Sequence, residues 1–471
     1  MSWLAGRLAR GSGRDEVVRF ALVAFGGALA AVMLLCAALV TAIHGGDCRQ
    51  GCTHGQLYRT DLLDQAGLRP GVVTGLVLMV VPVLVFLGMC ARISAAQRDR
   101  RLAAIRLAGG TPGQVRLLAA ADTATPAALG AVLGLVGFLV TKALLERSYQ
   151  QHTDQLVRAA FAAGTLASSP YRSALALVPA RALPTDVATP LGRSLLVLLL
   201  VPTLCAASAV LALRQVQTTP LGVARRARRQ PRGAAFLVLG SGLVLLVAAP
   251  LAGALALPAL AVGAVLVIVA VVSSGSWLAA RTGALVAPRT GRPALLLAAR
   301  RLQADPHGQG RALSGVVLAV LLASGASVLR SATLRYEAPD DVFYRNAYDL
   351  VDLALAVALV VAAAGLLVAS CEAVLERRRT LANLWAAGVP LATLRRAVLL
   401  QALLPAVPAL LLAAIVGTAV AQVPGAVGGL TFPWLRLLAI LAVALAAVCL
   451  STLLTLPLLR RSAQPAELRQ T

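Results

Sequence analysis

The chain has 471 residues, of which 59% are hydrophobic and 13% charged. That composition excludes an ordinary soluble protein and calls for lipid as the solvent of much of its surface. The 43 basic and 19 acidic residues leave a net charge of +24, but the arginines gather in alternate connecting segments, which is the pattern of cytoplasmic membrane loops and not of a nucleic-acid binder.

A membrane-crossing helix needs about 20 apolar residues. The hydropathy pattern predicts ten such spans, near 20–43, 71–91, 117–141, 191–213, 234–254, 259–279, 312–330, 350–371, 397–420 and 433–456. The first run is too long for the apolar core of a cleavable signal and lacks a clear small-residue cleavage site. Arginines crowd the N-terminus (Arg7, Arg10, Arg14, Arg19), the segments after spans 2, 4, 6 and 8, and the C-terminal tail. If spans alternate, all of these fall on one side, so a multi-pass protein of the cell membrane with both termini cytoplasmic is expected. The outer segments are small, and 142–190 is the largest.

The clearest signal is a repetition. QRDRRLAAIRLAGGTPGQVRLLAAADTATP at 97–126 returns as ERRRTLANLWAAGVPLATLRRAVLLQALLP at 376–405. Arg98, Arg100, Leu102, Ala103, Ala108, Gly109, Arg116 and Pro126 match Arg377, Arg379, Leu381, Ala382, Ala387, Gly388, Arg395 and Pro405 at a constant offset of 279, without a gap. Each copy lies between the second and third spans of a group of four. The expected fold is therefore an all-α polytopic membrane protein of about ten helices, with two homologous four-helix units and a two-helix linker. The expected bounds are 1–230, 231–285 and 286–471. Basic amphipathic stretches, AGRLAR at 5–10 and AARRLQ at 298–303, open the two units and suit the membrane interface.

Residues 95–108 contain no Pro or Gly and are rich in helix formers. Gly109 and Gly388 stand where a helix C-cap favours glycine. On this helix Arg98 and Arg101 are i,i+3 neighbours, as are Leu102 and Ile105, and Leu381 and Leu384 repeat the apolar pair. Such an element could merely satisfy the positive-inside rule, or it could dock in a partner's groove. Its duplication at matching points favours a partner with two equivalent sites.

With these residues on view, the chain resembles the FtsX-like permease family, the membrane subunits of MacB/LolCDE-type (type VII) ABC transporters. The resemblance rests on Arg100, Arg101, Leu102, Ile105, Arg106, Gly109, Gln114, Val115, Arg116 and Asp122. In the second copy it rests on Arg378, Arg379, Leu381, Leu384, Gly388, Leu394, Arg395 and Gln401. The ten-span plan is similar to duplicated actinobacterial and Firmicutes permeases of this group. The resemblance implies a separate cytoplasmic ATPase dimer that binds ATP and magnesium, with no cofactor in this chain. It implies coupling helices at 97–110 and 376–388 that meet that ATPase through Arg98, Arg101, Leu102, Ile105, Arg106, Gly109, Arg378, Arg379, Leu381, Leu384 and Gly388. Members extrude drugs, peptides or lipids, while others relay ATPase motion to an outer partner without moving a substrate. A second permease copy and membrane lipid are further expected partners. Two features depart from the family: the acidic residue after the arginine pair is Ala103 here and Ala382 in the repeat, and the large outer domains are missing.

Other residues carry weaker signals. Cys48 and Cys52, in DCRQGC, suit a disulfide or a pair of free thiols, and with His44 and His54 a metal site is conceivable. Asp122 near the start of span 3 belongs either to a transport path or to an ion pair with an arginine at the inner interface, and Asp352 is read as interfacial. Pro82, Pro126, Pro405 and Pro408 would kink spans, and Gly130, Gly134 and Gly137 offer small faces for packing. There is no G-x-x-x-x-G-K-[ST] and no H-E-x-x-H, and Lys142, the only lysine, is not in a glycine loop. No enzymatic activity of the chain's own is expected.

Overall fold

In the computed structural model, the described residues are 14–43, 69–90, 111–162, 191–214, 234–251, 256–336, 342–376, 386–422 and 432–462, with single positions 63, 105, 107, 109, 184, 187, 380 and 383 between them. All regular elements among them are helical. They are α1 (Arg14–Val40), α2 (Arg69–Cys90), α3 (Pro112–Ala162), α4 (Leu191–Arg214), α5 (Ala234–Ala248), α6 (Ala256–Val286), α7 (Pro293–Ala304), α8 (Pro306–Tyr336), α9 (Val342–Glu376), α10 (Leu391–Ala421) and α11 (Trp434–Ser462). Among the described residues nine helices are long and apolar enough to cross a membrane, as an all-α polytopic membrane protein requires. The fourth expected span is an apolar helix of shorter reach, Leu191–Ala207 within α4.

The chain divides into two compact units. Unit 1 comprises 1–84 and 101–214, and unit 2 comprises 85–100 and 215–471.

In unit 1, α1 lies along α3, and small residues let the two backbones touch. A Cβ built on Gly130 would stand 2.0 Å from the carbonyl oxygen of Ala24, and one on Gly134 would stand 2.6 Å from that of Ala28. Helices in lipid gain no hydrophobic drive from association, so this close approach contributes directly to holding the pair. α4 packs on both. Near the far ends of α1 and α2, Val40 and Leu63 are buried together against Ile43, Val72, Val73 and Leu76. Helix α3 is 51 residues long. At 1.5 Å per residue it extends on the order of 75 Å, well past a hydrocarbon core of about 30 Å. The hydropathy reading ended this span near 141. The helix runs on because 142–162 contains neither Pro nor Gly and is rich in Leu, Ala, Gln and Arg.

In unit 2, α8 is the central element, with Leu313, Val316, Val317, Leu318 and Val320 all buried. It packs on α10 where Gly325 meets Gly417, and a Cβ on Gly417 would come 2.3 Å from the carbonyl oxygen of Leu321. The expected linker pair, α5 and α6, closes on itself through Gly242 and Gly263. Phe236 also meets Trp277 edge to face, with ring centroids 4.8 Å apart. α6 then lies against α8, where Gly275 faces Gly310. The amphipathic α7 turns Ala298, Ala299 and Leu302 onto its neighbours α6 and α10, and Gln303 Nε2 donates to the Gly283 carbonyl at 2.8 Å. α9 and α11 complete the unit.

Candidate functional site

Two turns mark equivalent points of the repeat. Gly109 has φ +93° and Gly388 φ +87°, the left-handed conformation that ends a helix and that a side chain would strain. In the second turn the Ala387 amide closes the last helical hydrogen bond to Asn383 at 2.9 Å. The next helices start differently. Before α3, the Thr111 amide donates to Gln114 Oε1 (3.0 Å) and the Gln114 amide donates to Thr111 Oγ1 (3.3 Å), a reciprocal cap with Pro112 in the first turn. Before α10, Pro390 occupies the cap without a side-chain hydrogen bond. Packing takes over there: Leu394 is fully buried with Val374 and is flanked by Leu297, Val389, Leu391, Val398 and Leu456. Val115, which is 279 residues before Leu394, is likewise buried, paired with Ala119.

Of the expected coupling residues, Ile105, Gly109 and Gly388 are described, and all three are exposed. Arg98, Arg101, Leu102, Arg106, Arg378, Arg379, Leu381 and Leu384 lie outside the described residues, as do Cys48, Cys52, His44 and His54. One residue beside the turn escaped the sequence reading. Leu107 is 91% exposed, an apolar knob whose only sequence cue is its place just before Ala-Gly-Gly.

Near the Gly109 end of unit 1 sits a buried charge. The Arg19 side chain is only 6% exposed and grips Asp122 with both terminal nitrogens, Nη1 to Oδ2 at 2.9 Å and Nη2 to Oδ1 at 3.0 Å. This fork pairs a guanidinium and a carboxylate along two parallel bonds. Of the two readings of Asp122, the structure gives the ion pair, and its partner comes from α1. The residue 279 positions later is Gln401, which is buried but carries no charge.

A second charged cluster lies at the other end of unit 2, away from Gly388. Arg330 near the end of α8 donates through Nη1 to Asp349 Oδ1 (2.8 Å) and Asp352 Oδ2 (2.7 Å) at the start of α9. Arg436 at the start of α11 adds a longer bond to Asp352 Oδ2, 3.3 Å. Asp352 was legible in the sequence as interfacial. Arg330 and Arg436 were not, because 22 and 84 residues separate them from Asp352 and no local pattern links them. At the corresponding end of unit 1 the arginines reach neutral oxygens. Arg193 donates to Thr41 Oγ1 at 2.6 Å, and Arg69 donates to the Leu63 and Ile43 carbonyls at 2.8 and 3.0 Å.

Among the described residues no three His, Cys, Asp or Glu side chains gather as a metal site. Cys36, Cys90, Cys205, Cys371 and Cys449 form no disulfide and lie at buried or half-buried positions of the spans.

Residues 353–463 match the family model of the FtsX-like permease C-terminal domain. That stretch runs from α9 through the Gly388 turn to the end of α11. No curated protein and no solved structure compared with the chain matches it. That match makes residues 353–463 an FtsX-like permease C-terminal domain, a domain of membrane subunits of the ABC-transporter type.

Proposed function

We propose that this chain couples ATP hydrolysis by a separate ATPase dimer to the outward movement of a hydrophobic or amphiphilic substrate. One polypeptide supplies both four-span halves, and the helical segments before Gly109 and Gly388 each receive one ATPase subunit. ATP and magnesium are bound by that partner. Both termini face the cytoplasm, as the arginine distribution requires. The supporting observation is the pair of left-handed glycines 279 residues apart, each followed at the same spacing by a buried anchor, Val115 or Leu394. A turn so fixed transmits a push to the helix behind it.

The test is ATP-dependent co-purification with the ATPase, comparing the native chain with the double change Leu102→Asp and Leu381→Asp. Leu107→Asp is a second variant, at a side chain that is already exposed. Loss of the complex with normal membrane insertion is expected. A complex that survives all three changes removes these segments from the coupling role. A relay to an outer protein, without a transported substrate, is the second reading, favoured by the run of α3 from 142 to 162 beyond its apolar stretch. ATPase-dependent accumulation of a substrate in inverted vesicles separates the two.

A further inference from the structure

Two members of unit 2's charged cluster, Asp352 and Arg436, line a hollow. Between α8, α9 and α11 lies a cavity of about 320 Å³, at the small end of the roughly 300–1,000 Å³ typical of small-molecule sites. Apart from Ser327 its deeper walls are apolar, with Ala319, Val320 and Ala323 on one side and Leu355, Leu359 and Ile440 on the others. Asp352 and Arg436 stand at its mouth. Trp434 and Phe432, both exposed, sit beside Arg436, where aromatic residues mark a membrane–water interface.

The charges at this mouth are balanced but not saturated. Arg330, only 16% exposed, is held between two carboxylates, so that trio carries one net negative charge. Arg436 restores neutrality through a single bond. Among the described residues, Asp349 Oδ2 and Asp352 Oδ1 accept no hydrogen bond. Arg436 donates one hydrogen bond of the several that a guanidinium can make. A simple anion drawn to Arg436 meets Asp352 beside it, and a simple cation drawn to the carboxylates meets Arg436. A headgroup with both charges lies head to tail along the Arg436–Asp352 pair and satisfies both ends. At the edge of lipid, where the dielectric is low, that difference is magnified.

The geometry points to a binding site for a single-chain amphiphile with a zwitterionic headgroup. Its tail enters the hollow, its anionic group rests on Arg436 and its ammonium on Asp349 and Asp352. This gives a substrate class to the permease reading and rests on that reading for the word substrate; binding itself is separable from it.

The experiment is photolabelling of the purified full chain in nanodiscs. The probes are three dodecyl amphiphiles with a diazirine in the tail, bearing phosphoethanolamine, phosphate or ammonium. The phosphoethanolamine probe is expected to label α8, α9 and α11 about tenfold more than either singly charged probe. Arg436→Gln should turn the preference towards ammonium, and Asp352→Asn towards phosphate. Ala323→Trp, or Ala356→Trp if the first does not insert, should remove labelling by all three. A merely structural ion cluster would not invert headgroup preference in opposite directions. Equal labelling by the three probes, label spread over all lipid-facing helices, or an unchanged preference in both charge variants overturns the site. If labelling fails while the ATPase partner is still bound and a substrate still moved, the permease reading stands and this site falls. If labelling behaves as expected but no ATPase associates, the site stands alone.

Discussion

The two units share a scaffold and differ in where they hold charge. Each has a left-handed glycine turn, a buried anchor six residues later, and a third span that meets the first through small residues. In unit 1 the buried ion pair, Arg19 with Asp122, lies at the turn end. In unit 2 that position is the neutral Gln401, and the carboxylates gather at the far end with Arg330 and Arg436. The repeat therefore preserves backbone geometry and lets side-chain chemistry diverge. One half fastens the end that carries the turn, while the other places its charges around an apolar hollow.

That contrast can be broken at several points. The largest effect is expected from Gly130→Val. A Cβ there would stand 2.0 Å from the Ala24 carbonyl oxygen, so the α1–α3 contact must separate. The cost should exceed the roughly 3 kcal/mol at the top of ordinary overpacking, read as loss of the monodisperse peak after detergent extraction. Ala409→Gly, the equivalent site of unit 2, should cost about 1 kcal/mol or less. Next comes Arg19→Ala, which removes the two-pronged partner of Asp122. About 3 kcal/mol is expected, the low end for halving a buried pair, because the Asp122 side chain keeps 37% of its exposure. Gln401→Ala truncates a buried side chain and should cost about 2 kcal/mol through lost packing, and a melting temperature falling more for Gln401 than for Arg19 would invert the comparison.

Smaller effects sharpen it. Gly109→Ala and Gly388→Ala force a side chain into the left-handed region at roughly 1–2 kcal/mol each. Equal losses in melting temperature mean that the turns are equivalent; a silent member of the pair means that they are not. Thr111→Val should cost about 1 kcal/mol by removing a side-chain cap, and Pro390→Ala should lack a matching hydrogen-bond loss, since no side-chain cap exists there. Arg436→Gln is expected to change stability least, by at most about 1 kcal/mol, because both partners are over 40% exposed.

The sequence made the backbone plan legible and hid most of the charge contacts. Gly109 and Gly388 could be found because a left-handed turn demands one residue type, and the constant offset showed that the demand recurs. Val115 and Leu394 carry the same periodicity into the span. The helical run from 142 to 162 escaped because hydropathy marks lipid contact, and that stretch is polar. Arg330 and Arg436 escaped because their partners come from other helices, so only the fold assembles the cluster. The ion pair of Asp122 was foreseen as a need, since a carboxylate in a span requires a partner, but the choice of Arg19, 103 residues away, is a product of the α1–α3 packing.

The length of α3 has a mechanical consequence. The helix begins just after the Gly109 turn, is pinched against α1 at Gly130, and continues to Ala162. The arm beyond the pinch is nearly twice as long as the arm before it. Asp122 on the short arm is itself tied to α1 by Arg19, so the grip and the short arm would move together, and an unbroken helix would carry that movement to the far end of the long arm. Shortening the long arm, residue by residue from Ala162, would change how far that movement reaches without touching the grip.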